Sequence, residues 1–296
     1  MEKSEKQFTN FKIHTQYSIC EGAIKIEDLA SFCKLNNIKA AGICDYDNLC
    51  GALEFSEKIS KAGTQPIIGS QINFVSENLI SRIPLFASTE TGYKNLIKLS
   101  SKSFLTRNKL SVPHCKLDDL YNNADGLIAL SGGLNDFFGI LFSANKIKVI
   151  NQIFDRLSQI FKDKFYLEIQ RHNEPGEKSF EEFLLKLSND FNLPIIASQE
   201  IYYLEQKMSE AHDSLVCIKN KTFLDEKNRK RYSSEHYIKN FKELEKIYSD
   251  IPEALENNYN FPYRFNFKPK KSNPILPKIK GNEDNSVETE LLNQAQ

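Results

Sequence analysis

Seven polar residues stand where a run of apolar, mostly β-branched residues stops. They are His14 after FKI, Asp45 after AAGIC, Gln71 at the end of PIIGSQ, Ser131 after GLIAL, Gln170 and His172 after FYLEI, and Glu200 after PIIASQ. If those runs are strands of one parallel barrel, their ends share a rim, where the chemistry of such barrels gathers. His14, Asp45 and His172 then offer imidazole and carboxylate ligands suited to a divalent metal. Three dispersed ligands make a sparse site, because phosphoester hydrolysis with two or three metal ions needs more anionic and imidazole donors. Strand ends also carry polar residues simply because loops begin there, so each of the seven alone has a structural explanation. His114 and His236 sit in polar stretches and read as surface histidines, whereas His212 lies on an apolar helical stripe and reads as a hydrogen-bonded, partly buried one. There is no GxSxG, HExxH or P-loop string, which removes the common hydrolase and nucleotide-binding templates.

The elements that must carry these residues follow from hydrophobic periodicity. Strands are predicted over Phe11–His14, Ala40–Asp45, Pro66–Asn73, Ile83–Ser88, Gly126–Ser131, Phe165–Gln170 and Pro194–Ser198. Between them, Ile26/Leu29/Ala30/Cys33, Tyr93/Leu96/Ile97, Ile147/Ile150/Phe154/Leu157/Phe161 and Phe180/Phe183/Leu184/Leu187/Phe191 repeat with helical spacing. PIIG, GLIALS and PIIAS are continuous apolar runs, the mark of strands buried on both faces in a largely parallel sheet under helices. Seven strand–helix units in about 250 residues suit a closed barrel better than an open sheet, and no glycine-rich phosphate fingerprint follows the first strand. Beyond residue 205 the pattern changes to a helical stripe at Met208/Ala211/His212/Leu215, a charged loop DEKNRKR at 225–231, a helix over Lys242–Tyr248 and an aromatic stretch at Tyr259–Phe267 that reads as a packed exit from the barrel.

Composition narrows the class. The 296 residues hold 39 Lys+Arg against 39 Asp+Glu and are 40% hydrophobic, enough to fill a core and without the basic excess of a free-standing nucleic-acid binder. The first ten residues have no apolar signal-peptide core, and no apolar run approaches a membrane span. Six cysteines without a CxxC pair read as reduced and buried, so a cytoplasmic location is expected.

Longer strings carry a resemblance. FKIHTQYSICEGAIKIEDL, ICDYDNLCGALEFSEKISKAGTQPIIGSQINF, TGYKNLIKLSS, GLIALSGG, FYLEIQRH, EAHDSLVCIKNKTFLD, SDIPEALENN and NPILP occur in order from Phe8 to about Pro277. Together they resemble the PHP (polymerase and histidinol phosphatase) family, in the branch that opens bacterial replicative DNA polymerase III alpha subunits. The resemblance implies a distorted parallel (β/α)7 barrel over 1–267. A linker and the start of a following polymerase domain would occupy 268–296, as if the chain were cut within a longer protein.

It also implies a degenerate site. Metal-binding members carry HxH in the first strand, where this chain has Lys12-Ile13-His14. Their Asp-His is Asp45-Tyr46, their Glu is Gln71, a Cys is Gly133, and their late Asp-x-His is Glu200-Ile201-Tyr202. His14, Asp45, His172 and, in part, Glu200 remain as vestigial positions, and Lys12 puts a positive charge where a divalent cation would sit. No metal or other cofactor and no catalytic residue is therefore expected in this chain. Mg²⁺-dependent nucleotidyl transfer and contact with DNA would belong to the polymerase domain of the parent protein. The implied role is a scaffold that docks the proofreading exonuclease subunit and works with other replicase subunits. The alternative is a residual metal-dependent phosphoesterase or exonuclease using His14, Asp45 and His172.

Overall fold

The structure, a computed structural model, describes residues 6–105 and 112–274, together with 289, 291, 292 and 295. The strands are β1 (Asn10–Ile13), β2 (Ala40–Tyr46), β3 (Gln65–Ser76), β4 (Leu79–Ala87), β5 (Cys115–Lys116), β6 (Leu127–Leu130), β7 (Phe165–Gln170), β8 (Ile195–Ser198) and β9 (Glu200–Ile201). The helices are α1 (Ile26–Leu35), α2 (Ala52–Lys61), α3 (Glu90–Leu105), α4 (Leu117–Asn122), α5 (Phe137–Ser143), α6 (Ile147–Phe161), α7 (Glu177–Phe191), α8 (Ser209–Asn220), α9 (Phe241–Ile247) and α10 (Pro252–Asn260).

One sheet runs in the order β8-β7-β6-β4-β3-β2-β1-β9, with β5 pairing beside β3. Its two edges, β8 and β9, are consecutive in the chain with only Gln199 between them, so the sheet curls into a nearly closed barrel. The barrel is not uniformly parallel as expected, because β4 runs antiparallel to both β3 and β6. The reason is local. Only Glu77 and Asn78 separate β3 from β4, and Glu77 adopts φ 52; a two-residue link permits only a hairpin.

Side-chain alternation divides each strand between two cores. Phe11, Cys44, Ile67, Phe86, Ile128, Leu130, Tyr166 and Ile196 fill the barrel interior. Residues such as Ile43, Ile68, Leu85, Leu127, Leu167 and Ile195 face the helices instead. The stripes expected on α6 and α7 meet that outer layer through Ile150, Phe154, Leu157 and Phe161, and through Phe180, Leu184 and Leu187. The aromatic exit closes one end of the barrel: Phe261 packs on Phe11 at 4.5 Å, on Phe86 at 5.8 Å and on Tyr166 at 5.9 Å. Above it, Asn258 is fully buried and ties distant segments together. Its side chain accepts Thr9 N–H at 2.7 Å and donates to the carbonyls of Thr9 at 3.0 Å and Ala197 at 2.9 Å.

Residues 268–271 run along α2, with Ser56 Oγ donating to the Pro269 carbonyl at 2.7 Å. Residues 275–288 of the expected linker, and most of the helix start behind it, lie outside the described residues. Cys33, Cys44, Cys115 and Cys217 are buried free thiols as expected, whereas Cys20 is half-buried and Cys50 exposed, since both sit in loops. Among the described residues no helix is long and apolar enough to cross a membrane.

Helix α3 lies against the turn before β6 through two glycines. A Cβ on Gly92 would stand 1.9 Å from the Gly126 carbonyl oxygen, and Gly126 itself holds φ 71. Because the obstacle is backbone, it cannot swing aside. Gly92→Ala is expected to cost at least about 2 kcal/mol, read as a lower midpoint in urea denaturation; an unchanged midpoint would disprove this packing.

Candidate functional site

Lys12 is the residue around which the polar end of the barrel is built. An irregularity in β1 between Asn10 and Ile13 breaks the two-residue alternation. Phe11 packs inside the barrel and Ile13 in the outer layer, and the Lys12 side chain is completely buried. Its Nζ donates to Asp136 Oδ2 at 2.9 Å and lies 3.4 Å from Glu168 Oε2 and 3.5 Å from Glu200 Oε1. Burial alone would lower the ammonium's pKa. Asp136, Glu168 and Glu200 outweigh it and hold the pKa well above the ordinary lysine value.

Each carboxylate reaches Lys12 from a different element. Asp136 precedes α5 and is presented by a Gly132-Gly133 turn, in which Gly132 holds φ 77 and the Gly133 N–H donates to Asp136 Oδ2 at 2.8 Å. Glu168 belongs to the inward row Tyr166–Glu168–Gln170 of β7, and its other oxygen accepts Ser198 Oγ at 2.6 Å and Gln170 Nε2 at 2.7 Å. Burial raises its pKa, and Lys12 and these hydrogen bonds only partly offset that. Ser131, one of the rim residues, accepts the Glu168 N–H on its hydroxyl at 2.9 Å.

Glu200 joins this cluster to a second layer. Its Oε1 accepts Gln71 Nε2 at 2.7 Å and His14 Nε2 at 3.0 Å, with the Tyr46 hydroxyl at 3.4 Å. Burial opposes its ionisation, but Lys12 and His14 hold the carboxyl well below the usual range. The His14 ring is sandwiched between Tyr46 at 4.3 Å and Tyr202 at 4.8 Å, whose hydroxyls share a 2.6 Å hydrogen bond. Burial, then the Glu200 charge, pushes both phenols well above 10, so they stay neutral.

The vestigial positions do not converge as a ligand set. His14 and Glu200 meet in the pocket. Asp45 does not, because on β2 Cys44 faces in and Asp45 faces the β1–α1 loop. There it accepts Thr15 N at 2.7 Å, Thr15 Oγ1 at 2.7 Å and Ser18 Oγ at 2.6 Å, which makes it a loop clamp. His172 lies against β9, and its Nε2 accepts the Glu200 backbone N–H at 3.0 Å. Nδ1 must therefore carry the proton and donate to Glu177 Oε1 at 3.1 Å. Burial, then neighbouring His236, drives its pKa well below 6.5. His236 is not a surface residue: it is 3% exposed, stacks on His172 at 4.1 Å and donates from Nδ1 to the Glu200 carbonyl at 2.9 Å. Its neighbours in sequence are polar, but the rings of Tyr202 at 5.3 Å and Tyr232 at 5.2 Å also pack on it. His212 is buried as expected and meets the Glu21 carbonyl at 2.8 Å.

A divalent cation does not fit this donor set. An ammonium stands among the three carboxylates, the His172 lone pair is engaged, and Asp45 is turned away. Gly133 adds no donor either, since a Cβ there would stand 2.1 Å from Gln170 Oε1. Among the described residues no group of three or more His, Cys, Asp or Glu could hold a metal ion. Sequence reasoning flagged Lys12 but missed Asp136 and Glu168. The available signal was a glutamate inside the otherwise apolar FYLEI and an aspartate three residues past a Gly-Gly pair.

The family model for the PHP domain matches residues 10–172. Curated relatives described as DNA polymerase III subunit alpha match along nearly the whole chain. The protein from Caulobacter vibrioides is 33% identical over 97% of this chain and 26% of its own length. That from Rickettsia bellii is 33% identical over 92% of this chain and 23% of its own. For Vibrio cholerae the figures are 30%, 93% and 24%. The chain thus spans about a quarter of the length of these relatives.

Two outcomes follow from the geometry. Lys12→Met removes the cation and strands buried carboxylates, so it is expected to destabilise the fold by about 3–5 kcal/mol; adding Glu168→Gln should restore part of that. Equal urea midpoints for wild type and Lys12→Met would disprove the cluster's role. Buried His212 contributes to the acid response. Burial, then His236, lowers His212 to about 4, so the unfolded chain binds protons more readily than the folded one between pH 6.5 and 4. The contribution of His212 should be full above pH 6.5 and be lost as pH drops towards 4, so the stability difference between wild type and His212→Gln in denaturation curves should change across that range in this sense; a difference independent of pH would disprove it.

Proposed function

The chain belongs to the PHP-domain family, and from that premise we propose that it serves as the N-terminal PHP region of a replicative DNA-directed DNA polymerase, a metal-free scaffold that docks the proofreading exonuclease subunit. The observation that carries this reading is the buried Lys12 ammonium with Asp136, Glu168 and Glu200 around it. A cation tethered to β1 supplies the charge balance that a metal ion would otherwise supply, and it cannot bind a water or polarise a phosphoester as a metal does. The carboxylates around Lys12 and the His172 lone pair are engaged with protein groups, so the barrel offers rigidity and surface in place of hydrolysis.

Homology to the alpha subunits supports partners among the replicase subunits and DNA, reached through the parent polymerase. Nucleotidyl transfer and its Mg²⁺ ions are assigned to other parts of that polymerase, which acts in the cytoplasm. The residual phosphoesterase reading loses support, since Asp45 and His172, two of its three ligands, are engaged elsewhere.

Two measurements test the proposal. Size-exclusion chromatography of the 296-residue chain with the exonuclease subunit of the same organism should give a co-eluting complex at micromolar concentration; two separate peaks would refute docking. Mass-spectrometric metal analysis after dialysis should find far less than one Zn or Mn per chain. A stoichiometric metal would refute the metal-free scaffold.

A further inference from the structure

The segment that leaves α8 exposes several large apolar side chains beside basic ones. Phe223 is 75% exposed and Leu224 53%, close along the chain to Ile218 at 70%. The adjoining loop carries Ile19 at 79% exposure, and it is tied to α8 where Glu21 pairs with Lys219 and the Glu21 carbonyl meets His212. Exposed large apolar side chains on two segments that touch one another are candidates for an interaction site, since such groups are covered when a partner binds.

These side chains are not exposed through fraying. The Phe223 N–H donates to Glu226 Oε1 at 2.8 Å, and Thr222 N–H to the Cys217 carbonyl at 3.1 Å. The guanidinium groups of Arg229 and Arg231 both donate to the Leu224 carbonyl at 3.2 Å, and Arg229 is also paired with Asp213. An ordered backbone holds Phe223 and Leu224 outward, which lowers the entropy cost of covering them.

The charge around the patch selects its partner. Residues 219–231 contain six Lys/Arg and two Asp/Glu, in a chain whose totals are 39 and 39. Lys221, Lys227 and Lys230 are exposed there. Three of the four apolar residues are aliphatic and give bases no stacking platform, which favours a protein over a nucleic-acid strand. We propose that Ile19, Ile218, Phe223 and Leu224, with the basic residues around them, form the docking face for an acidic segment bearing large apolar anchors, carried by the subunit that the chain docks. This inference rests on the docking reading above and names the face that docking uses.

The test measures the affinity of the 296-residue chain for the exonuclease subunit by calorimetry, beside Ile218→Asp/Phe223→Asp and Lys227→Glu/Lys230→Glu. All four positions are exposed, so the variants should melt like wild type. The apolar pair is expected to weaken binding by at least about 30-fold; the charge pair should weaken it and remove its salt dependence. Wild-type binding with both variants unchanged would overturn the face and leave docking standing. No binding by wild type would overturn the docking reading, and this inference with it. Binding of a labelled oligodeoxythymidine to wild type that both variants abolish would overturn the inference in favour of a nucleic-acid surface.

Discussion

A fully buried ammonium is costly unless its charge is met on the spot, and the polar end of this barrel is arranged to meet the charge of Lys12. Asp136 comes from the turn after β6, Glu168 from β7 and Glu200 from β9, so one side chain of β1 fastens parts of the sheet that lie far apart in sequence. The dependence is mutual. Three carboxylates could not be buried together without the cation, and the cation could not be buried without them. Three negative groups around one positive leave an excess of negative charge. Burial pushes the Glu168 carboxyl up, whereas Lys12 and His14 beside Glu200 hold that carboxyl down.

The two ends of the barrel solve the filling problem differently. At one end Phe261 enters from outside the strand order and packs among Phe11, Phe86 and Tyr166. At the other, aromatic rings are used as polar walls: Tyr46 and Tyr202 enclose His14, and His172 stacks on His236. Apolar packing and a hydrogen-bonded network thus meet along the same interior rows, as in the step from Tyr166 to Glu168 on β7.

Much of this was legible in the sequence, and the gaps have physical causes. Strand ends were readable because apolar runs stop there, and the helical stripes of α6 and α7 fall where periodicity puts them. Facing direction was not readable in AAGICDY, because a strand buried on both sides shows no alternation, and so Asp45 was placed on the wrong side. The direction of β4 was hidden because Ser-Glu-Asn-Leu lacks the Asn-Gly type of hairpin signal. The family resemblance marked Lys12, Gln71 and Gly133 as departures. Their meaning needed the third dimension: Gln170 occupies the space beside Gly133, and Gln71 donates to Glu200, whose charge also faces Lys12.

The side chain of Asn258 joins Thr9 to Ala197, which makes sequence separation a matter of time. A ribosome adding roughly 5–20 residues per second needs on the order of 10–50 seconds to travel from Thr9 to Asn258. For most of that interval β1 has emerged while β9 and the residues that cap the barrel do not yet exist. Until β9 is made, the edge of the first strand that will meet it stays unpaired and Lys12 lacks its Glu200 partner. A lysine on an exposed strand edge disfavours pairing with a neighbouring copy, so the residue that locks the folded barrel is also of the type that keeps a waiting edge apart.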